Sequence, residues 1–90
     1  MVGRVCDLKE LQGRIEELFF KKDWNRGVEG TFLWFVEEVG ELSEAILKGD
    51  RRKVEEEMAD VLAWLLSLAN LLNVDLCEVF DRKWGIKGRE

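Results

Sequence analysis

Four glutamates crowd eleven residues of this chain. In FVEEVGELSEA, residues 35–45, Glu37, Glu38, Glu41 and Glu44 stand at helical spacings of three, four and seven. Like charges at such spacings lie side by side on a helix and cost about 0.2–0.5 kcal/mol per pair. A second acidic pair follows in EEEMAD, where Glu57 and Asp60 are again three residues apart. Asp60 opens directly onto the apolar run VLAWLLSLA. A carboxylate at such a boundary is expensive to keep charged unless something positive compensates it. Arg51, Arg52 and Lys53 sit near the turn between the two acidic segments, and none has a spacing that matches the paired acids. A divalent cation fits better, and all-oxygen ligands select the hard ions Mg²⁺ or Mn²⁺.

Absences narrow the chemistry further. With no histidine in the chain there is no Ser-His or Cys-His nucleophile pair. The same absence removes the Glu-x-x-His motif of carboxylate-bridged di-iron bundles. No glycine-rich phosphate loop and no EF-hand loop is present. What remains is metal-assisted attack by water, with carboxylates as ligands and as base. Mg²⁺ keeps open coordination positions that phosphate oxygens fill, so phosphates are the natural substrates.

Helices must position these acids. Four helical segments are legible. The first spans about Asp7 to Lys22, with Leu8, Leu11, Ile15, Leu18 and Phe19 as its apolar stripe. DWNRGVEGT, with two glycines and an asparagine, reads as a loop. The second runs from Thr31, the expected N-cap, to Lys48. Phe32, Phe35, Val39, Leu42 and Ile46 form its apolar face; Glu37, Glu41 and Glu44 stand opposite, with Glu38 and Ala45 at the boundary. Gly49 stops it, and Asp50 caps a third helix from Arg51 to Leu72. So short a link makes an antiparallel hairpin. A fourth helix spans Asp75 to Trp84, stapled by Val74 and Val79, with a frayed tail after Gly85.

The hairpin brings the acids to one level. Helix rise is about 1.5 Å per residue, so positions equally far from the turn stand at equal height. Glu38 and Glu41 centre ten residues before the turn; Glu57 and Asp60 centre nine after it. Glu44 is expected to be an exposed glutamate, and Glu55 and Glu56 to favour the helix dipole. The stretch MADVLAWLLSLANLL is apolar on nearly every side. Such a helix needs burial all round, and three short neighbours do not supply it, so a homodimer or homotetramer is expected.

Composition agrees with a single all-α domain over residues 1–90. The chain is 47% hydrophobic and 37% charged, with no proline. Its whole net charge of −5 falls in residues 37–60, where nine acids face four bases; the remainder holds ten of each. That stretch repels a nucleic-acid backbone and attracts cations. No apolar run reaches the ~20 residues of a membrane span, and MVGRVCDLKE lacks the apolar core of a signal peptide. Cys6 and Cys77 form no CxxC pair and read as reduced, half-buried thiols of a cytoplasmic protein.

EExxE at Glu37, Glu38 and Glu41, followed by ExxD at Glu57 and Asp60, resembles the signature of the MazG-type nucleotide pyrophosphohydrolases. GTFLWFVEEVGELSEAILKGD and VEEEMADVLAWLLSLANLLNVDL extend the likeness over roughly residues 8–84. The resemblance implies an all-α, Mg²⁺-dependent enzyme that cleaves a nucleoside triphosphate to the monophosphate and pyrophosphate. Carried over by position, Glu38, Glu41, Glu57 and Asp60 would be the metal ligands. Glu37 would support them or orient the attacking water. Lys83 matches a phosphate-contacting lysine of the last helix, whereas Lys87 stands where relatives have asparagine, and the cysteine-rich tail of the most similar branch is absent.

Trp34 lies seven residues before Glu41 and Trp64 seven after Glu57, so both are candidate pocket walls for a base; as core or interface residues they need no ligand. Lys21, Lys22 and Arg26 either reach phosphates or form a solvated surface. The competing reading of the whole chain is a non-enzymatic helical module, oligomerising or regulatory, with an acidic face.

Overall fold

A computed structural model of the chain describes residues 7–85. Three helical elements follow in order: α1 (Leu8–Lys48), α2 (Arg51–Leu71) and α3 (Leu76–Trp84). An aspartate caps each one. Asp7 accepts from the backbone N–H of Lys9 and Glu10, Asp50 from Lys53, and Asp75 from Glu78. Each cap satisfies donors that the first helical turn leaves open. Gly49 closes α1 in the left-handed conformation (φ 71°), so the chain reverses within two residues and α2 runs back along α1. Cys6, Lys87 and the tail beyond Gly85 lie outside the described residues; Cys77 is a free, exposed thiol rather than a half-buried one.

The expected loop over DWNRGVEGT is not there. The first two expected helices instead meet directly at a kink, where Gly27, with φ 87° and ψ 167°, lies in a region essentially reserved for glycine. Thr31 is therefore no N-cap; it lies inside the helix and is fully buried. The polar residues that read as loop instead tie the kink together. Arg26 Nη1 donates to Asp23 Oδ1 at 2.8 Å on one side of Gly27 and to Thr31 Oγ1 at 3.2 Å on the other. The first arm of α1 docks on the α2–α3 junction through Gln12. Its amide donates to Asn70 Oδ1 and the Val74 carbonyl and accepts from the Leu76 N–H.

The face that α1 turns inward also differs from the expected one. Thr31 and Ala45 are buried, and Phe35, Glu38 and Leu42 are half-buried, a stripe at positions 31, 35, 38, 42 and 45. Phe35 and Leu42 of the expected apolar stripe belong to it, whereas Phe32, Val39 and Ile46 lie one position further round and are exposed. The small side chains of Thr31 and Ala45 are the most buried at the contact, and the larger Phe32, Val39 and Ile46 are left outside it. Few apolar residues are fully buried among those described: Ala45, Leu66, Leu68 and Ala69. Among the described residues no single helix is long and apolar enough to cross a membrane.

Candidate functional site

The inward position of Glu38 meets Glu57 across the hairpin. One carboxylate oxygen each from Glu38, Glu41 and Glu57 lies within 4.8 Å of the other two. Glu57 is 3% exposed, an unusual setting for an acid. Glu38 Oε1 and Glu57 Oε1 are buried and have no hydrogen-bond partner. Burial first, then hydrogen bonding and repulsion from Glu57, then the charges of Glu41 and Asp60, push the Glu38 carboxyl up to about 7. Glu57 moves the other way, held below the usual carboxylate range by its hydrogen bonds to Glu38 and Lys53. The two acids thus favour sharing one proton across the hairpin.

These orphaned oxygens fit a hard cation. Oxygens around one Mg²⁺ at about 2.1 Å stand roughly 3–4 Å apart, close to the spacing of this cluster. The expectation that no base reaches the cluster needs correction. Lys53 Nζ lies 3.2 Å from Glu57 Oε2, because one helical turn brings position 53 beneath position 57. Sequence spacing contained this i, i+4 pair; closeness to the turn disguised it.

Asp60 is not among the three clustered oxygens. It is exposed and lines an adjoining cavity of about 400 Å³ between the first arm of α1 and α2, yet its charge still acts on Glu38. Glu37 is exposed beside the cluster, and Glu44 pairs with Lys48 at the surface, 3.5 Å apart. Trp34 and Trp64 stack on each other with centroids 5.9 Å apart. Trp64 also walls the cavity, and the Arg26 guanidinium lies 4.8 Å from its ring centre. Lys83 is elsewhere: it lines a separate apolar groove between α2 and α3, with its ammonium 5.3 Å from the Trp84 ring. Asp23 carries no sequence signal of its own beyond a loop-like neighbourhood, but it is 2% exposed on the cavity wall.

A cluster of acids from two helices beside an aromatic-walled cavity is a setting for cation and phosphate chemistry, and comparison with known proteins specifies which. Residues 26–84 match the MazG nucleotide pyrophosphohydrolase domain. The chain belongs to the MazG nucleotide pyrophosphohydrolase family. It is a hydrolase, a nucleotide pyrophosphohydrolase, and the reading as a non-enzymatic module falls. A dATP/dGTP diphosphohydrolase from cyanophage S-2L is 38% identical over 77 residues, which span 86% of this chain and 70% of that protein. The MazG match contains all of Trp34, Glu37, Glu38, Glu41, Glu57, Asp60, Trp64 and Lys83, while Asp23 lies just before it.

Proposed function

We propose that the protein hydrolyses nucleoside triphosphates, NTP or dNTP, to the monophosphate and pyrophosphate, with Mg²⁺ or Mn²⁺ at the acidic cluster. The observation that carries this reading is the pair of buried, unpartnered oxygens that Glu38 and Glu57 bring together across the hairpin, with Glu41 one turn along from Glu38. Glu38, Glu41 and Glu57 would hold the cation, and Asp60 would complete the set from the cavity side. The cation would polarise the phosphate oxygens and neutralise charge as the anhydride breaks. Glu37, beside the ligands, is assigned to orienting the attacking water. Trp34 and Trp64 frame the substrate end, and Lys83 would contact phosphate only in an assembly that carries its groove to another protomer's site.

Such an assembly is part of the proposal. Phe32, Val36 and Val39 are 51%, 48% and 41% exposed, and Ile46 and Leu47 continue the same side of α1. Contiguous apolar surface of this kind marks an interaction face, and we assign it to a homodimer or homotetramer. Nucleotide substrates and a free thiol fit a cytoplasmic setting. The substrates named for the cyanophage relative are purine deoxynucleoside triphosphates, the class to try first.

Incubation with a panel of NTPs and dNTPs, with Mg²⁺ or with EDTA, tests the reading. Monophosphate plus pyrophosphate, formed only with Mg²⁺, is the expected result. Diphosphate plus phosphate would break the assignment of the cleaved bond. Unchanged turnover in Glu38→Gln or Glu57→Gln would break the assignment of the site.

A further inference from the structure

The cavity beside the carboxylate cluster holds one feature that metal binding does not use. Asp23 Oδ1 accepts from Arg26 at 2.8 Å, but Asp23 Oδ2 is buried and has no hydrogen-bond partner. A buried acceptor without a donor costs about 1–3 kcal/mol, and such a group calls for an explanation. Its surroundings say what kind of donor it lacks. Ile15, Phe19, Ala63 and Trp64 make much of the cavity wall apolar or aromatic, which suits a flat ring. A phosphate would meet an acceptor-only carboxylate and be repelled. A second cation is disfavoured because the Arg26 guanidinium already sits against the same carboxylate. A neutral N–H donor on an aromatic ring satisfies both conditions.

We infer that Asp23 is a specificity-determining residue, whose Oδ2 accepts a hydrogen bond from an exocyclic amino group of the substrate's base. Arg26 acts as its positioning residue. Held by Asp23 and Thr31 and laid against Trp64, it fixes the carboxylate across the Gly27 kink. This inference rests on the nucleotide reading above and adds to it a preference among bases. A site built to bond a donor rejects an analogue that lacks it, because the buried acceptor is then left unpaired.

Asp23→Asn is nearly isosteric. Its amide oxygen still accepts from Arg26, while its amide nitrogen puts a donor where the acceptor was. The experiment compares kcat/KM for dATP and dGTP with that for dITP, whose base lacks both amino groups. The wild-type protein is expected to favour at least one amino-bearing substrate by about ten- to hundredfold, the range of one hydrogen bond to a charged group. Asp23→Asn is expected to reduce that ratio at least tenfold. Because the readout is a ratio within one preparation, partial misfolding of the variant does not change it.

Binding of dAMP against dIMP, followed by tryptophan fluorescence, reads the same preference without turnover. If the wild-type protein hydrolyses nothing yet prefers dAMP, and Asp23→Asn loses that preference, the activity reading fails and this inference stands. If hydrolysis proceeds with no preference, or with one that Asp23→Asn leaves unchanged, the inference is overturned and the activity stands. An unchanged ratio with an altered Mg²⁺ requirement would make Asp23 a cation ligand and also overturn it.

Discussion

Trp34 and Trp64 stack across the hairpin with their planes inclined by only 11°, one ring from the second arm of α1 and the other from α2. Both stand two turns from an acid of the cluster on their own helices, so the stack fixes the register at which Glu38 and Glu41 meet Glu57.

Replacing Trp34 by alanine removes the ring contact and should cost about 0.5–1.5 kcal/mol beyond the area term. Thermal unfolding should record the loss. Because the register of the acids loosens with it, Trp34→Ala should also weaken the stabilisation given by Mg²⁺. A variant with a lower melting temperature but an unaltered Mg²⁺ response would uncouple the stack from the site.

The Glu38 carboxyl is raised from 4.5 to about 7. For an acid whose folded value is raised, the stabilising contribution is complete below about 4.5 and disappears as pH rises through about 7. Glu57, held low, contributes in the opposite sense and loses its contribution as pH falls. Between about pH 4.5 and 7 the metal-free protein should therefore lose this contribution as pH rises, and Mg²⁺ should remove that slope. Below about 7, cation binding should release a proton. Calorimetry in buffers of different ionisation enthalpy measures it directly; zero release would sink the shared-proton reading.

Lys53 lies against Glu57 at 3.2 Å and competes with any cation for that carboxylate. Lys53→Met keeps the aliphatic stem and deletes the charge. The metal-free protein should melt lower, because a buried carboxylate loses its partner. The rise in melting temperature produced by Mg²⁺ should become larger. An identical Mg²⁺ response in both proteins would exclude Lys53 from the site.

Gly27→Ala tests the kink. A Cβ there would touch nothing within 4 Å, so any penalty comes from φ 87° and ψ 167° alone. Strain of this kind amounts to about 1–3 kcal/mol. In a domain this size each kcal/mol lowers the melting temperature by about 4–8 °C. Unchanged stability would mean that the two arms of α1 tolerate a straighter path.

Local chemistry in the chain determined the helices, the aspartate caps and the reversal at Gly49 and Asp50, because each depends on neighbours within a turn or two. Hairpin arithmetic from that reversal was enough to bring Glu38, Glu41 and Glu57 together, since helix rise is constant. Which side of α1 faces α2 was decided by packing. Thr31 and Ala45 lie at the contact with Phe35 and Leu42 half-buried beside them, whereas Phe32, Val39 and Ile46 of the apolar stripe expected from sequence are left exposed. The kink and the Asp23–Arg26–Thr31 tie likewise belong to the tertiary structure. Glycine and polar residues signal a loop locally, and burial against α2 is what turns those same side chains into a hydrogen-bonded joint. Lys83 and Asp60 show the same division: spacing set their helices and faces, and the angles between helices set which cavity each one lines.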